Sequence, residues 1–264
     1  MAPFCYTSYY TMKIKPYFKA KLAQPYQGKH LHAVGTMLVM NTEVRTKSVG
    51  DFIVMLPDPV SLNLNNAQGF IDKCGKLKER INKAKETTIF SKILTEEVIA
   101  GLNNEEIKKL DPAANILRVL DNDKVFEYVQ SSMGVVVSLI TAVESFVNLM
   151  IPIDYTFVRT NRKGEKETLD KAQIVRKLPI EEKLEIIGAV KAKPDLKQQT
   201  FWNSFKTVKD LRDDIIHFKK MDNNINQMWR PIIESFFDSD LQKFFDDIVG
   251  MIGYLHPQYL ETES

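Results

Sequence analysis

One stretch dominates what this chain can become. From Met133 to Ile153 the residues are apolar almost without a break, a run long enough to cross a bilayer at about 1.5 Å per helical residue. Ser138, Thr141, Glu144, Ser145 and Asn148 interrupt it with a polar stripe. A carboxylate near the middle of a lipid-embedded helix is costly, so the expectation is a helix buried inside protein rather than in a membrane. Asp123 is a good N-cap and Pro152 a stop, which predicts one helix from Asp123 to Met150. A helix apolar nearly all round needs neighbours on several sides, and the rest of the chain has to supply them.

The downstream sequence does so. Pro179 opens an apolar-periodic segment through Val190, and further helices are predicted over Gln198–Lys220, Asn224–Phe237 and Asp240–Leu255. Tyr155–Thr160 and Glu165–Leu169 flank a polar turn and read as a hairpin. Residues 116–264 are therefore expected to form a four-helix bundle. Residues 1–115 read as a smaller α+β region. Leu31–Met40 and Asp51–Leu56 resemble paired strands, and Pro57, Pro59 and the Asn-rich Leu62–Asn66 break the pattern. Gly69–Glu86 suggests a solvated helix, with short helices at Ser91–Leu102 and Glu105–Leu110. The domain boundary is expected between Asp111 and Asp121. The fold class is mainly α.

Composition sets the outer limits. With 44% hydrophobic and 27% charged residues over 264 positions, the chain can bury a real core, which excludes a disordered or collagenous class. Two cysteines, Cys5 and Cys74, without metal-like spacing, fit a reducing cytosol, and the first residues lack the pattern of a secretory signal. A cytoplasmic protein with no membrane partner is expected. The net charge of +2 is unevenly spread: residues 1–90 carry +7, 91–158 carry −5, 159–220 carry +6 and 221–264 carry −6. That balance permits a polyanion partner without demanding one.

Projecting Gln198–Lys220 on a helical wheel gathers Phe201, Phe205, Val208, Leu211, Ile215, Ile216 and Phe218 on one face, with Lys206, Lys209, Asp210, Asp213 and Asp214 outside it or at its edges. Arg212 falls inside the apolar arc. An unpaired buried guanidinium costs several kcal/mol, so a carboxylate pairs with it or the face is not sealed. On the long helix, Ser138 and Thr141 are expected to face water. Glu144 and Asn148 either do the same or line the cleft that holds Arg212. His217 lies five residues after Arg212, about 140° away around an ideal helix, so the two do not share one face. A distorted last turn, or two copies of the chain around one cleft, would bring them together.

An Arg, a polar residue, three further residues and a His on a late helix of a bundle resemble the HEPN superfamily, here as Arg212, Asp213 and His217. The resemblance covers roughly residues 120–255, including Glu144–Asn148 on the long first helix. It implies a four-helix HEPN domain. Many such domains are metal-independent endoribonucleases that dimerise so that two motifs form one composite cleft, often in toxin–antitoxin, abortive-infection or antiviral systems. The implied site has His217 as acid–base catalyst, Arg212 as phosphate stabiliser, Asp213 orienting or restraining the pair and Glu144 holding Arg212. The polar position is often Asn in the family; Asp213 adds negative charge where a phosphate would sit. The implied partners are RNA, a second copy of the chain and an antitoxin-like regulator, with no metal and no cofactor.

Substrate-binding candidates beyond these are Asn148, the lysines Lys219 and Lys220 just after the motif, and Arg162 and Lys163 in the basic hairpin tip. The alternative for that tip is a solvated turn. His30 and His32 alternate on a predicted strand but lack a third ligand at metal-site spacing. Trp202 and Trp229 read as core aromatics. Glycine motifs of phosphate loops, dinucleotide folds and nucleophile elbows are missing from the sequence. The reading is therefore an endoribonuclease. Its rivals are a non-catalytic HEPN module that binds nucleic acid or protein, and a plain structural Arg212–Glu144 pair.

Overall fold

The computed structural model describes residues 14–16, 19–21, 26–27, 31–32, 37–39, 41–83, 122–160, 163–217 and 225–260. Among these the fold is mainly helical. Helix α1 spans Pro59–Lys83, α2 Asn122–Met150, α3 Lys171–Lys177, α4 Ile180–Val190, α5 Phe201–His217, α6 Ile225–Asp238 and α7 Leu241–Leu255. The expected bounds of α2, α4, α6 and α7 agree with these to within two residues. Helix α5 starts three residues later than expected, because Leu196–Gln198 forms a separate 3₁₀ turn before it. The predicted helices at Ser91–Leu102 and Glu105–Leu110, and the predicted domain boundary, lie outside the described residues.

Helix α2 is long and apolar enough to cross a membrane by length and composition. Here it is the central helix, packed along α1 and against α4, α5, α6 and α7. Val135, Val136, Leu139, Ala142, Val143, Phe146 and Val147 are wholly enclosed. Ser138 is buried as well, contrary to the expected water-facing stripe. Thr141 is exposed and donates its hydroxyl to the Val137 carbonyl at 2.7 Å, a bond within the helix itself.

Helix α1 corrects the reading of Pro57–Asn66 as a break. Asp58 accepts from the backbone N–H of Val60 and of Ser61, both at 3.2 Å, so it caps the helix, and Pro59 takes the first position, where its missing N–H costs nothing. The asparagines continue the helix: Asn63 donates its side-chain amide to the Pro59 carbonyl at 2.7 Å. Nor is this helix merely solvated. Val60, Leu64, Ala67, Cys74, Leu77 and Ile81 are buried on α2 in the same core as the C-terminal helices, with Ile71 partly buried against them. Positions 60, 64, 67, 71, 74 and 81 fall on one heptad stripe. Tyr259, in the segment after α7, donates its hydroxyl to Asp58 at 3.0 Å, tying two distant parts of the chain together.

The strands form two-stranded pieces. Lys19–Lys21 (β1) pairs with Met37–Val39 (β4), and Tyr26–Gln27 (β2) with Leu31–His32 (β3). Asn41–Thr46 (β5) pairs with Gly50–Met55 (β6), Thr46 opposite Gly50. The expected pairing of Leu31–Met40 with Asp51–Leu56 is thus replaced by a tighter hairpin. The polar Asn41–Thr46 supplies its first strand, and Gly50 closes the turn at φ +87°, a conformation that favours glycine. Phe157–Thr160 (β7) and Lys166–Leu169 (β8) form the expected hairpin after α2, and the short α3, which was not expected, follows it.

Candidate active site

The charged residues singled out on α2 and α5 converge with others from α4. Glu144 and Asn148 stand one turn apart on α2 and so project on one side of it. The Arg212 guanidinium lies 3.8 Å from Glu144 and 2.8 Å from its neighbour Asp213. Its side chain is 27% exposed, so both resolutions of the wheel argument apply at once: the arginine is paired, and the face above it is open. Asp213 also faces Lys209 at 3.5 Å, and Lys209 lies 3.8 Å from Glu181 on α4 and 3.7 Å from Asp210.

On the other side of Glu144 stands Lys183, at 3.9 Å and with a side chain only 2% exposed. Its ammonium donates to Asn148 Oδ1 at 3.1 Å and to the Val175 carbonyl at 2.7 Å. Burial pushes its pKa down from the ordinary lysine value, and the Glu144 carboxylate opposes that shift. A line of alternating charge results, from Lys183 through Glu144, Arg212, Asp213 and Lys209 to Glu181, joining three helices. Lys183 was not anticipated. The signal was present, since Lys183 sits three residues after Ile180 and four before Ile187 on an apolar face, just as Arg212 does on α5.

Where the folded chain is less protonated at Lys183 than the unfolded chain, below the ordinary 10.5, stability rises with pH. Lys183→Met should flatten that rise. It should also cost about 1–3 kcal/mol at neutral pH, because Asn148 Oδ1 and the Val175 carbonyl lose their donor. Urea midpoints of both proteins at neutral and mildly alkaline pH check this; an unchanged pH slope would show that another group carries it.

His217 is the last residue of α5 and is exposed. It stands about 7.5 Å along the axis from Arg212 and about 140° around it, so one helix does not bring the two side chains together. Ile216, expected on the apolar face, is 52% exposed. Phe218, Lys219, Lys220 and Arg162 lie outside the described residues. Lys163 is exposed at the hairpin tip. Lower on that hairpin, Arg159 pairs with Glu167 at 3.2 Å and Lys177 with the same carboxylate at 2.5 Å. The Lys177 hydrogen bond is the main cause of the lowered Glu167 pKa.

The tryptophans belong to the core. Trp202 is buried with its ring 5.1 Å from that of Phe205, and Trp229 packs against the core from its edge. His32 lies in β3. Among the described residues no group of three His, Cys, Asp or Glu side chains could hold a metal ion. Compared with family models, curated proteins and solved structures, the chain finds no match in any of the three.

Proposed function

We propose that this protein is a metal-independent endoribonuclease of HEPN type that works as a homodimer in the cytoplasm, in a defence or toxin–antitoxin setting with a regulator to restrain it. One observation carries the reading: a half-buried, carboxylate-anchored Arg212 with an open face, followed five residues later by an exposed His217 at the end of the same helix. A guanidinium stabilises the extra charge of a pentacoordinate phosphorane through its planar donor fork. An imidazole can accept and donate a proton, as moving the 2′-hydroxyl proton requires.

In the composite site His217 of one protomer takes the 2′-hydroxyl proton as that oxygen attacks the adjacent phosphorus. Arg212 of the other protomer binds the non-bridging oxygens. The bond to the 5′-oxygen breaks, that oxygen takes a proton from solvent, and the products end in a 2′,3′-cyclic phosphate and a 5′-hydroxyl. Each step uses side-chain acid–base and electrostatic chemistry alone. The test is incubation of the purified protein with RNA in EDTA, with analysis of the product ends and of the mass in solution. Cyclic phosphate ends from a dimer are expected; 3′-hydroxyl ends, no cleavage, or a strict monomer would overturn the assignment.

A second reading has its own support. Asp213 at 2.8 Å and Glu144 at 3.8 Å together offset the Arg212 charge, as suits a module that keeps the bundle for binding and has lost the chemistry.

A further inference from the structure

We infer that Asp213 is a displaceable anion that occupies the phosphate position on Arg212, and that Lys209 is the positioning residue that receives it when substrate enters. The inference rests on the reading of Arg212 as the phosphate-binding group.

Among the described residues, Arg212 and Lys209 both face the Asp213 carboxylate. Arg212 holds Asp213 at 2.8 Å, whereas Lys209, one turn earlier on the same helix face, stands 3.5 Å from it. All three side chains are 20–27% exposed, so the exchange takes place at the surface of the helix and requires no opening of the core. The remaining neighbours separate the two cations further. Arg212 keeps Glu144 at 3.8 Å, a carboxylate already shared with the buried Lys183. Lys209 has Glu181 at 3.8 Å and Asp210 at 3.7 Å, neither closer than its distance to Asp213.

A phosphodiester approaching the open side of Arg212 brings one negative charge to a guanidinium whose best donors face Asp213. Two anions on the same fork repel, and the one with a second cation nearby moves. Asp213 therefore swings onto Lys209, and the phosphate takes the vacated donors. Without substrate the carboxylate returns and lowers the affinity of the site for stray polyanions. The sequence explains why this device is local: the polar position after the arginine is an acid here, and a lysine stands four residues before it.

The experiment measures binding of a short 2′-O-methyl RNA, which carries the phosphates but lacks the attacking hydroxyl. Asp213→Asn should bind it about tenfold more tightly than the parent, the scale of removing one charge-assisted contact from a partly exposed guanidinium. Asp214→Asn, the same charge change on an exposed neighbour, should gain less than about twofold, because its effect is screened. Lys209→Met should weaken binding in the parent yet have no effect in the Asp213→Asn background, since Lys209 acts through Asp213. Lys209→Arg should restore the parent value, and Arg212→Met should abolish the Asp213→Asn gain. Asp213→Ser serves if the asparagine variant folds poorly.

Equal gains from Asp213→Asn and Asp214→Asn, or the same loss from Lys209→Met in both backgrounds, would overturn the proposal. The two readings fail separately. Tighter binding by Asp213→Asn with no RNA cleavage in any variant removes the ribonuclease and keeps the exchange. Cleavage by the parent with no special effect at Asp213 does the reverse.

Discussion

Replacing His217 with alanine is expected to lower RNA cleavage in EDTA by about 10²–10⁴-fold, the usual contribution of one acid–base group. Melting temperature and dimer mass should stay at parental values. The separation is sharp because of where the residue sits. His217 is exposed on the final turn of α5, so truncating it opens no cavity and leaves no buried group without a partner. A loss of cleavage at constant stability therefore assigns chemistry to the side chain. Undiminished cleavage by the variant would remove His217 from the mechanism, and with it the ribonuclease assignment to this helix.

The second large effect concerns stability. Phe146→Ala should destabilise the fold by about 3–5 kcal/mol, read as a shift in the urea midpoint at an unchanged slope. Phe146 is wholly enclosed on α2 and meets the ring of Tyr259 edge-on at 5.2 Å. Truncation leaves a void that the surrounding helices fill only in part, and it removes the ring that seats Tyr259 against Asp58. Phe146→Leu should recover most of the loss. The residue lies two positions from both Glu144 and Asn148, so the alanine variant should also impair any activity that depends on the charged line. A cost below about 1 kcal/mol would mean that α2 is not the centre of the core.

Much of this architecture was legible in the sequence, and the misses have physical causes. Asp123, Pro152 and Pro179 act locally, through capping and a missing N–H, so α2 and α4 could be delimited from single residues. Asp58 and Pro59 carry the same kind of signal. The prolines and asparagines of Pro57–Asn66 mask it, since the same residues mark a break after a strand, yet Asn63 turns back onto the helix it belongs to. The β5–β6 hairpin was misregistered because its first strand, Asn41–Thr46, is polar and has only Val44 as an apolar marker.

The site divides in the same way. Charge on an apolar face called for a carboxylate beside Arg212 or an open face, and left Glu144 as one candidate; the same projection of α4 marks Lys183. The contact of Arg212 with Asp213 was beyond reach, since neighbours on a helix meet only through particular rotamers. The exposure of Ile216 depends on tertiary packing, which no wheel contains.

The bond from Tyr259 to Asp58 has a consequence for synthesis. Asp58 and Tyr259 are separated by 201 positions, yet they meet at the cap of the first helix of the core. While a nascent chain has emerged only as far as α6, helices α1 and α2 can already lie side by side, with Cys74 near Ser132. The socket that Tyr259 fills stays open to water until residue 259 has left the ribosome. Translation order thus places this contact after the pairing of α1 with α2.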